Sequence, residues 1–259
     1  MFNKSIKEAL NNKLVTIGSW ITIGNPAIAE IMARSRFDWL TIDMEHSAIT
    51  LSEAQQLIQV IDANNVIPFV RVGENSSVLI KRVMDAGAHG VIVPMVNTKE
   101  EAIKAVESVK YPPFGKRGVG LGRAQGYGNA FDMYKKWVKT DSIVIVQIEH
   151  IRGVENLESI LSVDGIDGFF VGPYDLSGSL KCPGEFAHPE MLKALDHIKN
   201  VAKSYKGSVG LHVIQPNPDE VNQRIEEGYN FIAVSLDTLF LSTICNSALS
   251  KINIAGVNV

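Results

Sequence analysis

Within residues 144–179, two carboxylates each follow an apolar run of strand-like residues. Glu149 stands just after the run that ends at Gln147, and Asp175 stands a few residues after the run that ends at Val171. Because the strands of a barrel end at one rim, we expect the two side chains to lie close together. Carboxylates without a cluster of cysteines or histidines nearby are typical of a Mg²⁺ or Mn²⁺ site. Each could instead cap a helix or pair with a lysine, and the spacing alone leaves both alternatives open.

Other ionisable residues follow strand-like runs elsewhere in the chain. Asp43 and His46 are three residues apart, so the carboxylate could orient the imidazole as a general base. Arg71 ends an apolar run and could bind a carboxylate or an oxyanion with two hydrogen bonds, or form a structural salt bridge. Asp85 lies at a helix end and by itself is typical of a cap partner. Further polar residues near the ends of these runs are Glu45, Gln147, His150, His212, Ser235 and Asp237.

These residue types together describe one kind of reaction. A divalent metal would chelate a 2-oxo acid, Arg71 would stabilise the enolate oxygen, and a base near His46 would move the proton. No lysine stands at a strand end where it could form a Schiff base. The sequence therefore favours a metal-dependent route over an imine-forming one.

The elements that must position these residues alternate regularly. Eight short apolar runs are followed by amphipathic segments, and continuous apolar runs are typical of parallel strands that are covered on both faces. The predicted strands cover residues 15–20, 39–42, 67–70, 90–93, 143–147, 168–171, 208–213 and 231–234. The predicted helices include residues 52–63, 76–86, 98–109, 154–161, 189–204 and 219–227. Strict alternation predicts an α/β fold, a single (β/α)₈ TIM barrel over residues 1–259, with a doubly wound sheet as the alternative.

One connection, at about residues 110–139, is unusually long and rich in glycine. Its GVGLG segment does not have the spacing of a dinucleotide fingerprint, and no strand directly precedes it. Loops of this length are usually functional, so we interpret it as a flap over the active site, with Arg117 and Arg123 as anion contacts. A solvated loop with surface arginines is the alternative.

Composition excludes several classes of function. The chain has 259 residues, 46% of them hydrophobic, and a formal net charge of −3, which argues against nucleic acid as a partner. Its apolar runs are too short to span a membrane, and its first residues lack the apolar core of a signal peptide. Two cysteines without a disulfide framework fit the cytoplasm. We therefore expect a cytoplasmic protein that acts on small molecules.

Seven motifs of the chain resemble the HpcH/HpaI aldolases, the class II pyruvate aldolases that include hydroxy-oxo-heptanedioate aldolase and 2-dehydro-3-deoxyglucarate aldolase. The motifs occur in order over nearly the whole chain, at residues 37–46, 68–72, 81–96, 111–120, 123–128, 146–160 and 165–180. The resemblance implies a barrel of the phosphoenolpyruvate/pyruvate-binding type. It also implies a homo-oligomer, usually a hexamer built as a trimer of dimers, in which the C-terminal helix packs on a neighbouring subunit.

The resemblance also implies a role for each candidate residue. Glu149 and Asp175 would be the ligands of a divalent metal, Mg²⁺ or Mn²⁺ with Co²⁺ as a further candidate. Arg71 would contact the pyruvyl oxygen, and His46 with Asp43 would handle protons, supported by Asp85. The substrate-binding residues would further include Gln147, which lines the pyruvate pocket, and Gly172, Pro173 and Asp175, with the Gly172 backbone receiving the carboxylate. Tyr174 departs from the small residue expected before the metal aspartate and would narrow the pocket.

The function implied is reversible cleavage of a 4-hydroxy-2-oxo acid to pyruvate and an aldehyde through a metal-bound enolate. One alternative is a carbon–carbon synthase of the same family, similar to a citrate synthase of siderophore pathways, that joins oxaloacetate and acetyl-coenzyme A. Its larger acceptor would need cations such as Lys181, Arg117 or Arg123 for the phosphates. A non-catalytic protein that binds a 2-oxo acid is a third hypothesis, against which the complete set of proton-transfer residues speaks.

Overall fold

The computed structural model describes residues 6–250 and 252, and its eight strands form a closed parallel barrel in sequence order. The strands are β1 (Thr16–Ile21), β2 (Trp39–Asp43), β3 (Ile67–Arg71), β4 (Gly90–Val93), β5 (Ile143–Ile148), β6 (Gly168–Val171), β7 (Ser208–Val213) and β8 (Phe231–Leu236). Each lies within two residues of its predicted bounds. β8 pairs with β1, which closes the sheet, so the doubly wound alternative is wrong.

Helices alternate with the strands around the barrel, as predicted. They are α1 (Ile6–Asn11), α2 (Pro26–Ala33), α3 (Leu51–Ala63), α4 (Ser77–Ala86), α5 (Lys99–Val109), α6 (Phe131–Thr140), α7 (Ile151–Glu155), α8 (Leu157–Leu161), α9 (Pro173–Ser179), α10 (Pro189–Ser204), α11 (Pro218–Glu226) and α12 (Asp237–Leu249). The single helix predicted over 154–161 is in fact the pair α7 and α8. Within the described residues, no helix is long and apolar enough to cross a bilayer.

Large aromatic side chains fill the interior of the barrel. The rings of Trp39 and Phe231 stack with centroids 4.2 Å apart, and Phe69 packs edge-on against both. Gly18 makes room for this stack, because a Cβ atom there would lie 2.0 Å from the Trp39 ring. Leu10 of α1 is fully buried in the same cluster. With the interior filled by side chains, no channel runs through the barrel, and an active site is expected at the carboxyl ends of the strands.

The long connection is anchored to the helix layer by its arginines. The Arg117 side chain is fully buried. It donates one hydrogen bond to Asp85 Oδ1 over 2.7 Å and another to the Tyr134 hydroxyl over 3.0 Å. Arg123 pairs with Asp62 over 2.9 Å. Both guanidinium groups are therefore engaged with carboxylates of the same chain, and the prediction that they contact a bound anion is wrong. This anchoring also gives no support to a flap role for the segment that carries them.

Candidate active site

A cavity of about 230 Å³ opens at the carboxyl rim of the barrel, and we call it the rim cavity. Its walls bring together most of the predicted site residues with aromatic side chains that were not predicted. It is lined by Trp20, Thr22, Asp43, His46, Arg71, Gln147, Phe170, Val171, Gly172, Pro173, Tyr174, Asp175, His212, Ile214 and Leu236. A larger cavity, of about 570 Å³, lies elsewhere, beside Lys13 and α10, and contains none of the predicted residues.

Arg71 is held rigidly at the floor of the rim cavity. The parallel register of β2 and β3 places it directly beside Asp43, whose carboxylate accepts from Arg71 Nε over 2.9 Å and from Nη2 over 2.6 Å. Glu45 Oε2 lies 3.3 Å from Nη1, and the guanidinium stacks over the Trp20 ring at 4.5 Å. The double hydrogen bond and the stacking fix the orientation of the planar Arg71 guanidinium. A lysine side chain, which has no planar group, could not be held in this way.

The predicted Asp43–His46 pair does not form as expected. Asp43 Oδ1 accepts from the backbone N–H groups of Glu45 and His46, over 3.0 and 3.2 Å, and not from an imidazole. The His46 side chain is 65% exposed, and its Nε2 lies 3.9 Å from Glu45 Oε2. The carboxylate is fully used by the turn and by Arg71. Asp43 therefore orients the arginine, and the prediction that it orients His46 is wrong.

Glu149 is a buried carboxylate with a defined orientation. Its Oε1 accepts from the backbone N–H of Met95 over 2.7 Å, and its Oε2 accepts from Gln147 Nε2. Burial raises the pKa of Glu149 to about 7, and the carboxylates of Glu45 and Asp175 act in the same direction against the two hydrogen bonds. Three carboxylates thus influence one another electrostatically at this rim.

Glu45 is the member of this group that the sequence analysis left without a role. Burial raises its pKa, Arg71 opposes that shift, and Asp43 and Asp175 add to it. Its Oε2 is buried and makes no hydrogen bond with the described residues. The signal was present in the sequence: Glu45 follows the end of β2 by two residues, at the rim where the other candidates stand.

Asp175 lies in the first turn of α9, where Pro173 occupies the opening position that suits proline. Tyr174 between them is 54% exposed and lines the rim cavity. Its ring packs edge-on against Phe186, with centroids 4.9 Å apart. The departure at position 174 therefore adds an aromatic wall at the mouth of the cavity.

Gly172 has a structural role that differs from the substrate-binding role predicted for it. Its N–H donates to the carbonyl of Ile148 over 3.0 Å, so this donor is already used within the sheet. A Cβ atom at this position would lie 2.8 Å from both Cβ and Oε2 of Glu149 and 3.3 Å from Gln147 Nε2. The prediction that its N–H receives a carboxylate is therefore wrong. The glycine is needed for the close approach of the strand to Glu149.

We expect Gly172→Ala to lower kcat/KM by roughly a hundredfold, because displacement of a site residue by about 1 Å has costs of that size. Gly178→Ala in the same helix is a matched control, since a Cβ atom there meets nothing within 4 Å. Turnover and the thermal unfolding midpoint should be measured for both variants. Wild-type turnover in a folded Gly172→Ala variant would contradict the packing argument.

Asp85 is a predicted site residue that lies far from the rim cavity. α4 starts at the carboxyl rim after β3 and returns to the other end of the barrel, and Asp85 is its penultimate residue. Its carboxylate pairs with Arg117 over 2.7 Å. Within one chain Asp85 therefore cannot support His46. The length of α4 carries Asp85 away from the rim that holds His46.

Two further polar residues at the rim are structural. Asp237 is 2% exposed, and its carboxylate accepts from the backbone of Thr22, Ile23 and Thr238 and from the Thr22 hydroxyl. His150 caps α7, since its Nδ1 accepts from the N–H of Arg152 over 3.1 Å. The Asp237 carboxylate is thus fully engaged with its neighbours, and Nδ1 of His150 is used by the helix cap.

Comparison with known proteins agrees with this geometry. The family model described as HpcH/HpaI aldolase/citrate lyase matches residues 16–243. A 5-keto-4-deoxy-D-glucarate aldolase of Escherichia coli is 37% identical over 238 residues, which cover 92% of each chain. The crystal structure of an HpcH/HpaI aldolase/citrate lyase family protein from Burkholderia cenocepacia superposes with a TM-score of 0.90, at 33% identity over 96% of this chain and 99% of that one.

The citrate synthase SbnG is similar in fold as well, with a TM-score of 0.82 at 27% identity over 95% of this chain and 96% of that one. The family model covers most of the chain, and the curated relative exceeds 30% identity over nearly its full length. This chain therefore belongs to the HpcH/HpaI aldolase/citrate lyase family, and its named relatives are aldolases, which are carbon–carbon lyases.

Proposed function

We propose that this protein is a divalent-metal-dependent class II aldolase with a barrel of the phosphoenolpyruvate/pyruvate-binding type. It reversibly cleaves a 4-hydroxy-2-oxo acid to pyruvate and an aldehyde. The observation that carries the proposal is that Arg71 and Asp175 line one small cavity, with the Glu149 carboxylate buried directly behind Gln147 and Gly172 of its wall. An arginine opposite a carboxylate pair can bind the oxygens of a 2-oxo acid and stabilise the charge of its enolate.

The side chains at the rim fit a hard divalent cation. Glu149 and Asp175 would hold it, and oxygen donors suit Mg²⁺ or Mn²⁺, with Co²⁺ as a further candidate. Glu45 Oε2 and Gln147 Oε1 are buried oxygens with no hydrogen-bond partner among the described residues. With two protein ligands, water and substrate oxygens would fill the remaining coordination positions. When bound, the cation would supply Lewis-acid stabilisation of negative charge on the 2-oxo acid.

The chain's own residues supply the rest of the chemistry. Arg71, oriented by Asp43 and Trp20, would donate hydrogen bonds to the oxygen that gains charge as the carbon acid loses its proton. Trp20 and Phe170, which pack edge-on at 5.6 Å, exclude water from this wall of the cavity. His46, exposed at the mouth, is the proposed group for moving the proton between substrate and solvent.

A synthase that joins oxaloacetate and acetyl-coenzyme A is the second candidate, supported by the likeness to the citrate synthase SbnG. Of the three cations that could receive its phosphates, Arg117 and Arg123 are paired with carboxylates and only Lys181 is exposed. The cavity of about 230 Å³ suits a small acceptor better than a coenzyme. These observations favour the aldolase.

The two candidates are separated by their substrates. We expect turnover with pyruvate and short aldehydes in the presence of Mg²⁺ or Mn²⁺, and none with oxaloacetate and acetyl-coenzyme A. Product formation should be followed by chromatography in parallel reactions with the same protein. Turnover only in the second reaction would contradict the aldolase proposal, and binding of pyruvate without turnover of any substrate pair would favour the non-catalytic hypothesis.

The proposed assembly is a homo-oligomer, a trimer of dimers by family resemblance. Helix α12 supports this assembly because some of its apolar side chains pack on the same chain whereas others are exposed. Phe240 packs on Phe37 with ring centroids 6.4 Å apart, whereas Leu241 is 50% exposed and Ile244 is 69% exposed. Exposed apolar side chains next to one another on a terminal helix fit packing against a neighbouring subunit.

A further inference from the structure

His212 of β7 lines the rim cavity with one ring nitrogen already engaged. Its Nε2 lies 3.0 Å from the backbone carbonyl oxygen of Ser235. A carbonyl oxygen only accepts, so Nε2 carries the ring proton in this contact. In the neutral ring, the other nitrogen, Nδ1, is then an unprotonated acceptor. The cavity wall therefore includes a hydrogen-bond acceptor with a fixed tautomer.

The carbonyl group that contacts His212 belongs to Ser235, a residue with an unusual backbone conformation. Ser235 has φ +50°, which is uncommon for a residue other than glycine. The β1–β8 register shifts at the same place, since Gly18 pairs with Ala233 but Trp20 pairs with Leu236. Such a conformation is strained and typically persists where it serves a site. At this irregularity the Ser235 carbonyl lies within hydrogen-bond distance of the His212 ring and also accepts from the Ser19 hydroxyl over 3.2 Å.

The charge state of the ring agrees with the geometry. Burial lowers the pKa of His212 to about 4, and the positive charge of Arg71 acts in the same direction. The hydrogen bond to Ser235 and the negative charge of Asp43 oppose this shift. The ring is neutral near pH 7. A neutral imidazole accepts a hydrogen bond at Nδ1, which a charged one cannot do.

The position of the ring indicates which part of a substrate it meets. Trp20 lies between the two groups: its ring stacks under the Arg71 guanidinium at 4.5 Å and lies 5.8 Å from the His212 ring. Phe170 and Leu236 complete an otherwise apolar wall. His212 is thus a single acceptor in an apolar wall, on the side of the cavity where Arg71 would hold the 2-oxo acid.

We propose that His212 selects a 2-oxo acid that carries a hydroxyl on its nucleophilic carbon, of the hydroxypyruvate class, by accepting a hydrogen bond from that hydroxyl at Nδ1. This inference rests on the proposed function. The hydroxyl donates to Nδ1, whereas pyruvate, with a hydrogen in place of that hydroxyl, offers Nδ1 no donor. In the carbon–carbon bond-forming direction, the donor carbon loses one proton and bonds to the aldehyde carbon, and the aldehyde oxygen gains a proton. The hydroxyl is retained in a 3,4-dihydroxy-2-oxo acid.

The test compares hydroxypyruvate with pyruvate on the Mg²⁺-loaded protein by titration calorimetry. We expect wild-type protein to bind hydroxypyruvate about fivefold more tightly, since one hydrogen bond contributes on the order of 1 kcal/mol. His212→Leu should reduce the preference to about twofold or less without weakening pyruvate binding, on the same hydrogen-bond reasoning. His212→Gln should retain it, because a glutamine amide can donate to Ser235 and still accept from the ligand. His212→Phe keeps the ring volume and replaces the leucine variant if that variant unfolds.

The kcat/KM ratio of the two donors with glycolaldehyde is the second readout. Turnover of both donors with a ratio that His212→Leu and His212→Phe do not change would overturn the inference and leave the proposed function standing. A binding preference that depends on His212, without turnover of either donor, would support the inference and contradict the proposed function. Equal affinity of wild-type protein for the two donors would overturn the inference directly.

Discussion

We expect Glu149→Gln to lower turnover by roughly a thousandfold or more, because a ligand to a charge-stabilising cation contributes several kcal/mol to the transition state. The substitution removes the negative charge while keeping the shape. The new amide also cannot accept on both sides, and Met95 N–H and Gln147 Nε2 both donate to this carboxylate in the wild-type chain. Mn²⁺ affinity, measured by titration calorimetry, should fall together with turnover, and the unfolding midpoint should fall modestly because one buried donor loses its acceptor.

Glu155→Gln is the matched control, since Glu155 is an exposed carboxylate of α7 that follows the same strand. It should bind Mn²⁺ and turn over as the wild type does. If Glu149→Gln retained wild-type Mn²⁺ affinity, Glu149 would not be a metal ligand, whatever happened to turnover.

The second large effect is expected at Arg71. Arg71→Lys keeps the positive charge but cannot reproduce the double hydrogen bond to Asp43, the contact with Glu45 and the stacking on Trp20 in one planar group. Loss of a preorganised donor to a developing oxyanion lowers kcat by about 10²–10³-fold. We expect a decrease of that size in kcat, with a smaller change in KM.

Arg224→Lys is the control for the general effect of replacing an arginine with a lysine. Arg224 lies on α11, away from the rim cavity, and pairs with Glu220 and Glu227. Its kcat should equal that of the wild type. An Arg71→Lys protein with kcat within about threefold of the wild type would show that the guanidinium geometry is not needed for catalysis, against the usual cost of losing such a donor.

The sequence was sufficient for the barrel because continuous apolar runs and helical periodicity depend on local burial. It was also sufficient to place Asp43, Arg71 and Glu149 at one rim, since parallel strands end together. These inferences need only the direction of each strand, which strict alternation provides.

Roles that depend on distances between side chains could not be predicted in the same way. Asp43 was assigned to His46 because of their spacing, yet register places it beside Arg71, a far stronger partner. Asp85 was grouped with the site from the resemblance, although α4 carries it to the other end of the barrel. The acceptor formed by His212 depends on the unusual φ of Ser235, which no sequence pattern indicated.

The central claim is that this cavity converts a 2-oxo acid to its enolate with the help of a divalent cation. Its most direct test is the exchange of the methyl protons of pyruvate for deuterium in D₂O, followed by proton NMR without any aldehyde. We expect exchange that requires Mg²⁺, stops when a chelator removes the metal, and is lost in Glu149→Gln. Exchange that continues undiminished in the chelator, or no exchange with Mg²⁺, Mn²⁺ or Co²⁺ despite bound metal, would contradict the account.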